Sequence, residues 1–235
     1  MESYTASMER FFERWNWRAV IGVTLVAAFA LAATDPAIAA KKKRALATPS
    51  FFNSQETKSA NLKPFKKWNA AMDRYAKENS AQEKGACDAK KFNKCHYEES
   101  TKFLDSVKGK DKLAQLKAVN KKMNKAKYIV DQTNWGKKDY WATPGEFMAR
   151  FGDCEDYAIT KFMSLKRLGF DADTMRVVAV KDMNLRVGHA ILVVFLGDKP
   201  YILDNQVKIV VEARKIRHYQ PVFSINETAW WRHRV

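Results

Sequence analysis

Three residues of different chemistry, Cys154, His189 and Asp204, follow one another in the order of a thiol nucleophile, a base and an orienting carboxylate. A thiol attacks a carbonyl as the thiolate, so it needs a neighbouring base or an electropositive setting. Cys154 follows Gly152 and Asp153 and opens a run in which Ala158, Ile159, Phe162, Leu165 and Leu168 recur at helical spacing, with Gly169 as a fitting stop. That pattern predicts a helix beginning at the cysteine, whose free N–H groups favour a thiolate and can donate to an oxyanion. His189 begins one apolar run and Asp204 ends the next. Adjacent antiparallel strands would set the carboxylate beside the imidazole, which it could then orient. Each residue alone has a plainer reading. A cysteine is often a small buried hydrophobe, a histidine beside a strand is often structural, and an aspartate before Asn205 is often turn chemistry. Only their joint placement at helix start, strand start and strand end points to catalysis, in a papain-like order.

The elements that must position them fall into two halves. Phe65, Trp68, Ala71, Met72 and Tyr75 predict an amphipathic helix from Pro64 to about Ser80. Phe103, Leu104 and Val107, then Leu113, Leu116, Val119 and Met123, predict two more. From Tyr128 to Phe151 the chain reads as an aromatic, turn-rich loop. After Gly169 the period changes, and Met175–Val180, His189–Leu196, Tyr201–Asp204 and Val207–Val211 are strand candidates, with a turn over Gly197–Pro200. Helices followed by a meander with short turns make an α+β fold with an antiparallel sheet.

The N-terminus carries Arg10, Arg14 and Arg18, an uncharged apolar run from Ala19 to Ala33, and the small-residue string Ala37-Ile38-Ala39-Ala40. This is the pattern of a secretory signal peptide over residues 1–39, cleaved after Ala39. An uncleaved anchor would need about 20 apolar residues, and this run is shorter. Residues 40–60 begin Lys41-Lys42-Lys43-Arg44 and read as a basic flexible tail, its end pinned by Phe51 and Phe52; residues 61–235 form the folded domain. The net charge of +16 could favour nucleic acid, acidic polysaccharide, anionic lipid or an acidic protein partner, and a solvated basic surface is the plainer reading. The lysines are scattered through helical segments without interleaved stacking aromatics, so no nucleic acid is expected. Export places three cysteines in an oxidising compartment, where two pair and one stays free. Cys87 and Cys95 are the natural pair, which leaves Cys154 as a reactive thiol. A zinc site on Cys87, Cys95 and His96 would lack an obvious fourth ligand.

A family resemblance sharpens this. Trp135-Gly136, Asp139 to Phe147, and Gly152-Asp153-Cys154-Glu155-Asp156-Tyr157-Ala158-Ile159 resemble the signature of the bacterial transglutaminase-like cysteine proteinases, the family of the LapG-type periplasmic proteases. The likeness continues through Gly188-His189-Ala190, Ile202 to Asn205, and Tyr219 to Asn226. It implies a papain/transglutaminase-like fold and proteolysis with Cys154 as nucleophile, His189 as general base and acid, and Asp204 as orienting carboxylate. It also implies a place for Trp135 in the cleft or the oxyanion site, and a Ca²⁺ site on Asp153, Glu155 and Asp156. Those three acids at a helix start read equally as capping and dipole complementarity. Family substrates are large surface adhesins cut near the N-terminus at a dialanine-containing site, and an inner-membrane receptor sequesters the protease when cyclic-di-GMP is high. Two other classes share these residues: an acyl transferase of the transglutaminase type, and an exported binding module without catalysis.

Overall fold

The first strand of the sheet comes from a stretch with no apolar alternation. In the computed structural model, which describes residues 51–78 and 83–235, β1 (Gln55–Ser59) runs antiparallel to the last strand, β7 (Trp230–Arg234). Between them lie α1 (Lys66–Glu78), α2 (Lys94–Lys108), α3 (Lys112–Met123), α4 (Asp131–Trp135), α5 (Pro144–Arg150) and α6 (Cys154–Arg167), then β2 (Met175–Asp182), β3 (Val187–Leu196), β4 (Lys199–Leu203), β5 (Val211–Glu212) and β6 (Tyr219–Ile225). The fold is α+β, helices first. The sheet has the order β1-β7-β6-β2-β3-β4-β5, every pairing antiparallel.

α6 packs on β3 and β2 and carries α3 and α5 on its other sides, so nearly its whole surface is buried. Its end is a Schellman turn. Gly169, at φ +81°, donates to Lys166 O (2.9 Å) and Phe170 donates to Leu165 O (3.1 Å). The pleat sends Val177, Leu192, Val194 and Leu203 towards the helices, with Trp68, Leu116, Ile159 and Phe162. It sends Val178, Val180, Ile191, Val193, Phe195 and Ile202 to the other face, where Phe51, Tyr219 and Ala213 cover them. β3 is therefore buried on both faces, which is why it reads as an unbroken apolar run rather than an alternation.

Several expectations need correcting. The signal peptide over 1–39 and residues 40–50 of the tail lie outside the described residues. In the remainder of the expected tail Phe51 is pinned in the core at 2 % exposure, as expected, but residues 55–59 are a strand, β1, rather than a tail. The stretch read as one loop from Tyr128 to Phe151 contains α4 and α5. The second of these opens with a capping box, in which the Thr143 hydroxyl accepts from Glu146 N (3.1 Å) and Glu146 Oε2 from Thr143 N (2.8 Å). The strand expected over Val207–Val211 shrinks to Val211 and Glu212. The preceding bend is tied to α3 by Asn120 Nδ2 donating to Lys208 O (3.2 Å), and it leaves Ile209 exposed. The Gly197–Pro200 turn tightens to Gly197 and Asp198, with Pro200 already paired to Phe195. No helix among the described residues is long and apolar enough to cross a membrane.

Candidate active site

The start of α6 is built around an acid that folds back on its own turn. Asp156 Oδ1 accepts from Ala142 N (2.6 Å) and its Oδ2 from Asp153 N (3.2 Å). This needs a bare backbone at Gly152, where a Cβ would stand 2.0 Å from Asp156 Oδ2. Gly152 is also fixed from below, its carbonyl accepting from Ile129 N at 2.9 Å. Cys154 is thereby held as the first residue of the helix, only 4 % exposed, with its sulfur 3.2 Å from Glu155 Oε2. On the sheet side it packs against Ala190, whose backbone N–H is directed at the sulfur. Burial pushes the thiol well above its ordinary value, and the Glu155 and Asp153 carboxylates push it further; the Ala190 N–H opposes them.

Ala190 is the chain neighbour of His189 on β3, and among the described residues no hydrogen bond joins Cys154 to His189. His189 Nε2 lies 2.8 Å from Asp204 Oδ1 across the β3–β4 pair, both side chains fully buried. Donation from Nε2 leaves Nδ1 as the basic nitrogen, with the Gln206 amide 3.5 Å from it. Asp204 Oδ1 also accepts from Gln206 N (2.8 Å), and Oδ2 from the Tyr219 hydroxyl (2.7 Å). Burial alone would raise this carboxyl, but the His189, Gln206 and Tyr219 donors outweigh it and leave Asp204 below the ordinary carboxylate range. Its backbone is tethered as well, Asn124 Nδ2 donating to Asp204 O at 2.6 Å.

Beneath the cysteine lies a cluster of acids drawn from two segments. Asp153, Glu155 and Asp156 come from the turn into α6, and Asp131 and Asp139 from the start of α4 and the loop after it; in groups of three their oxygens lie within 4.8 Å of one another. Asp131 also accepts from Tyr140 N, and Lys67 pairs with Asp139. Burial, and next the Glu155 charge, pushes Asp131 up to about 7. Burial and the same neighbour push Asp153 and Asp156 well above their usual range. Asp131 Oδ1, Asp139 Oδ1 and Asp153 Oδ1 are buried without a hydrogen-bond donor. Unsatisfied, converging carboxylate oxygens are the donor set of a hard cation such as Ca²⁺, and the residues present fit one.

The model of the bacterial transglutaminase-like cysteine proteinases matches residues 82–232. The chain belongs to that family. It is a cysteine protease. Among solved structures it is similar to LapG of Legionella pneumophila in a calcium-bound form: 27 % identity over 69 % of this chain and 87 % of that one, with a TM-score of 0.56. An EGTA-treated form of the same protein matches at 27 % identity over 70 % and 86 %, TM-score 0.56. No curated protein sequence matches the chain.

For this family member, the structure brings Asp153, Glu155 and Asp156 together around Cys154, and pairs His189 with Asp204. Trp135 stands apart. It ends α4 with its ring on Tyr140 (4.5 Å) and Arg150 (4.3 Å), its indole N–H is buried without a partner, and among the described residues it makes no ring contact or hydrogen bond with Cys154 or His189. Cys87 and Cys95 form a disulfide, Cα–Cα 5.2 Å, which takes both sulfurs away from any zinc. Cys154 is the free thiol. Sequence reasoning missed Asp131, Asp139, Gln206 and Tyr219. Asp131 is 22 positions before Asp153, the first acid of the turn into α6, and nothing local marks it as more than a helix-start acid.

Proposed function

We propose that this protease is exported to the periplasm and cleaves an acidic, adhesin-like surface protein with Cys154 as nucleophile, His189 as base and Asp204 as its orienting partner. The observation that carries the reading is the buried 2.8 Å pair of His189 and Asp204, in a fold where Cys154 opens a helix and packs on Ala190, the chain neighbour of His189. Asp204 holds the proton on Nε2, so Nδ1 takes the thiol proton as sulfur attacks the scissile carbonyl. N–H groups at the α6 N-terminus stabilise the oxyanion. His189 then protonates the leaving amine, and water admitted to the site releases the acyl group as acid.

Asp131, Asp153, Glu155 and Asp156, with Asp139 at the edge, would hold Ca²⁺. When bound, the ion offsets the carboxylate charge beside the thiol and ties α4 to the Cys154 turn. The similar structure of LapG from Legionella pneumophila is a calcium-bound form, which supports this. Export is supported by the arginine-flanked apolar run, the Ala37–Ala39 site and the Cys87–Cys95 disulfide. The +16 charge would steer the enzyme to an acidic segment. An inner-membrane receptor that withholds the protease completes the proposed circuit.

The test is mass spectrometry of acidic surface proteins incubated with the purified enzyme in calcium. Two new termini that vanish in Cys154→Ala support the reading. A crosslink instead of a cut reassigns the chain to acyl transfer, and unchanged masses to a binding role.

A further inference from the structure

The carboxylate of Asp204 has one oxygen fixed from its own neighbourhood and one fixed from afar. Oδ1 faces His189 on β3 and Gln206 N in the loop after β4. Oδ2 is reached by Tyr219, which stands on β6, beyond β2 in the sheet, and pairs there with Asp182. Tyr219 is 5 % exposed, and its ring lies 5.7 Å from the imidazole of His189. The ring is itself buttressed by His218 at 4.4 Å and, edge-on, by Phe52 at 6.2 Å. The hydroxyl therefore has little freedom to leave the carboxylate.

Asp204 also has a rival for its charge. Lys161, buried on α6, has no hydrogen-bond partner for Nζ among the described residues, and Asp204 acts on it electrostatically. A carboxylate released at Oδ2 can turn away from His189 to serve that ammonium or Gln206. We propose that Tyr219 is a positioning residue of the catalytic machinery: its hydroxyl locks the rotation of the Asp204 carboxylate, so that Oδ1 stays aligned with His189 Nε2. This rests on the assignment of Cys154, His189 and Asp204 made above. It extends that assignment to a third strand, β6, and, through Phe52, to the N-terminal segment.

The experiment measures alkylation of Cys154 by iodoacetamide in the full chain with calcium, which needs no knowledge of the protein substrate. Tyr219→Phe keeps the ring and removes only the donor. It should label about tenfold more slowly than wild type, the usual worth of a hydrogen bond to a charged group. Its acid limb should move to higher pH, since Asp204 loses a donor that favours its ionised form. Tyr201→Phe, which removes a phenol from β4, should label at the wild-type rate. In an Asp204→Ala background the Tyr219→Phe change should cost nothing further. An equal rate and unmoved pH profile in Tyr219→Phe overturn the inference and leave the protease assignment standing. An equal loss with and without Asp204, including loss through misfolding, overturns it too. A wild-type thiol that is inert at every calcium level overturns the assignment beneath it.

Discussion

Arg176 on β2 reaches Glu56 on β1 with its Nη1 2.8 Å from Oε2, across two intervening strands of the sheet. The guanidinium is 1 % exposed and lies 3.8 Å over the Trp231 ring of β7, the strand that β1 pairs with. Ser54 and Ser224 close the same cluster on either nitrogen of His233, at 2.8 and 2.9 Å. The N-terminal segment is thus held by buried charge as well as by strand pairing. Glu56→Ala leaves Arg176 buried without its anion and should cost about 3–5 kcal/mol in denaturant melts. Arg176→Met combined with Glu56→Leu should recover much of that. A single mutant within about 0.5 kcal/mol of wild type would show that the Glu56–Arg176 pair adds nothing to the hold on β1.

That strand was invisible in the sequence for a physical reason. Gln-Glu-Thr-Lys-Ser has no apolar face, and its pairing is decided by Phe51, Glu56 and a partner some 170 positions away. β6 hides differently, because Pro221 argues against a strand interior; the register shift between Ala179 and Val180 is what accommodates it. α6, its glycine stop, β2, β3 and β4 were legible because periodicity and turn chemistry agreed with the final packing. In the site, the placement of Cys154 at a helix start, His189 near a strand start and Asp204 at a strand end was legible from sequence. Asp131 and Tyr219 were not, since each acquires its role only when a distant segment folds against it.

Calcium should bind the acid cluster and stabilise the fold, because buried oxygens that repel one another are relieved by a cation. At 100-fold excess over Kd, a ligand specific to the folded state adds about 2.7 kcal/mol. Melting should rise with calcium and fall with EGTA, and Asp131→Ala should abolish the difference. Asp139→Ala should blunt it less, since Asp139 is shared with Lys67. Identical melting of wild type in calcium and in EGTA would exclude a calcium site here.

His189→Ala should slow thiol labelling of Cys154 by a factor on the order of 10²–10⁴, the usual worth of a positioned base. The comparison is made in calcium at neutral pH, with folding checked by circular dichroism. Equal labelling rates would mean that Cys154 does not use His189.

Gly152→Ala adds one methyl where Asp156 Oδ2 stands 2.0 Å away and Asp156 Cβ 2.7 Å. The acid must move, and with it its bonds to Ala142 and Asp153 and the carboxylates proposed to hold calcium. Overpacking of this kind costs about 1–3 kcal/mol. Calcium affinity by titration calorimetry should drop together with stability. Unchanged affinity would separate the Gly152 turn from the metal site.

Glu78 supplies a pH dependence away from the acid cluster. It ends α1, where it is largely buried, with Thr143 donating to Oε1. Burial pushes its carboxyl up to about 7; the Glu146 charge adds to this, and Thr143, Gly145 N–H and Arg74 oppose it. The folded protein therefore keeps this proton at pH values where the unfolded chain has lost it. Such a group contributes its full stability below about 4.5 and loses it as pH rises through about 7. Glu78→Gln keeps an uncharged acceptor for Thr143 and does not titrate. The melting curves of mutant and wild type should therefore nearly coincide at acid pH, and the mutant should gain up to about 3 kcal/mol by pH 8.5. Taking the difference between the two proteins cancels the other titrating groups, so a difference that stays flat from pH 4 to 8.5 would mean that Glu78 ionises normally in the fold.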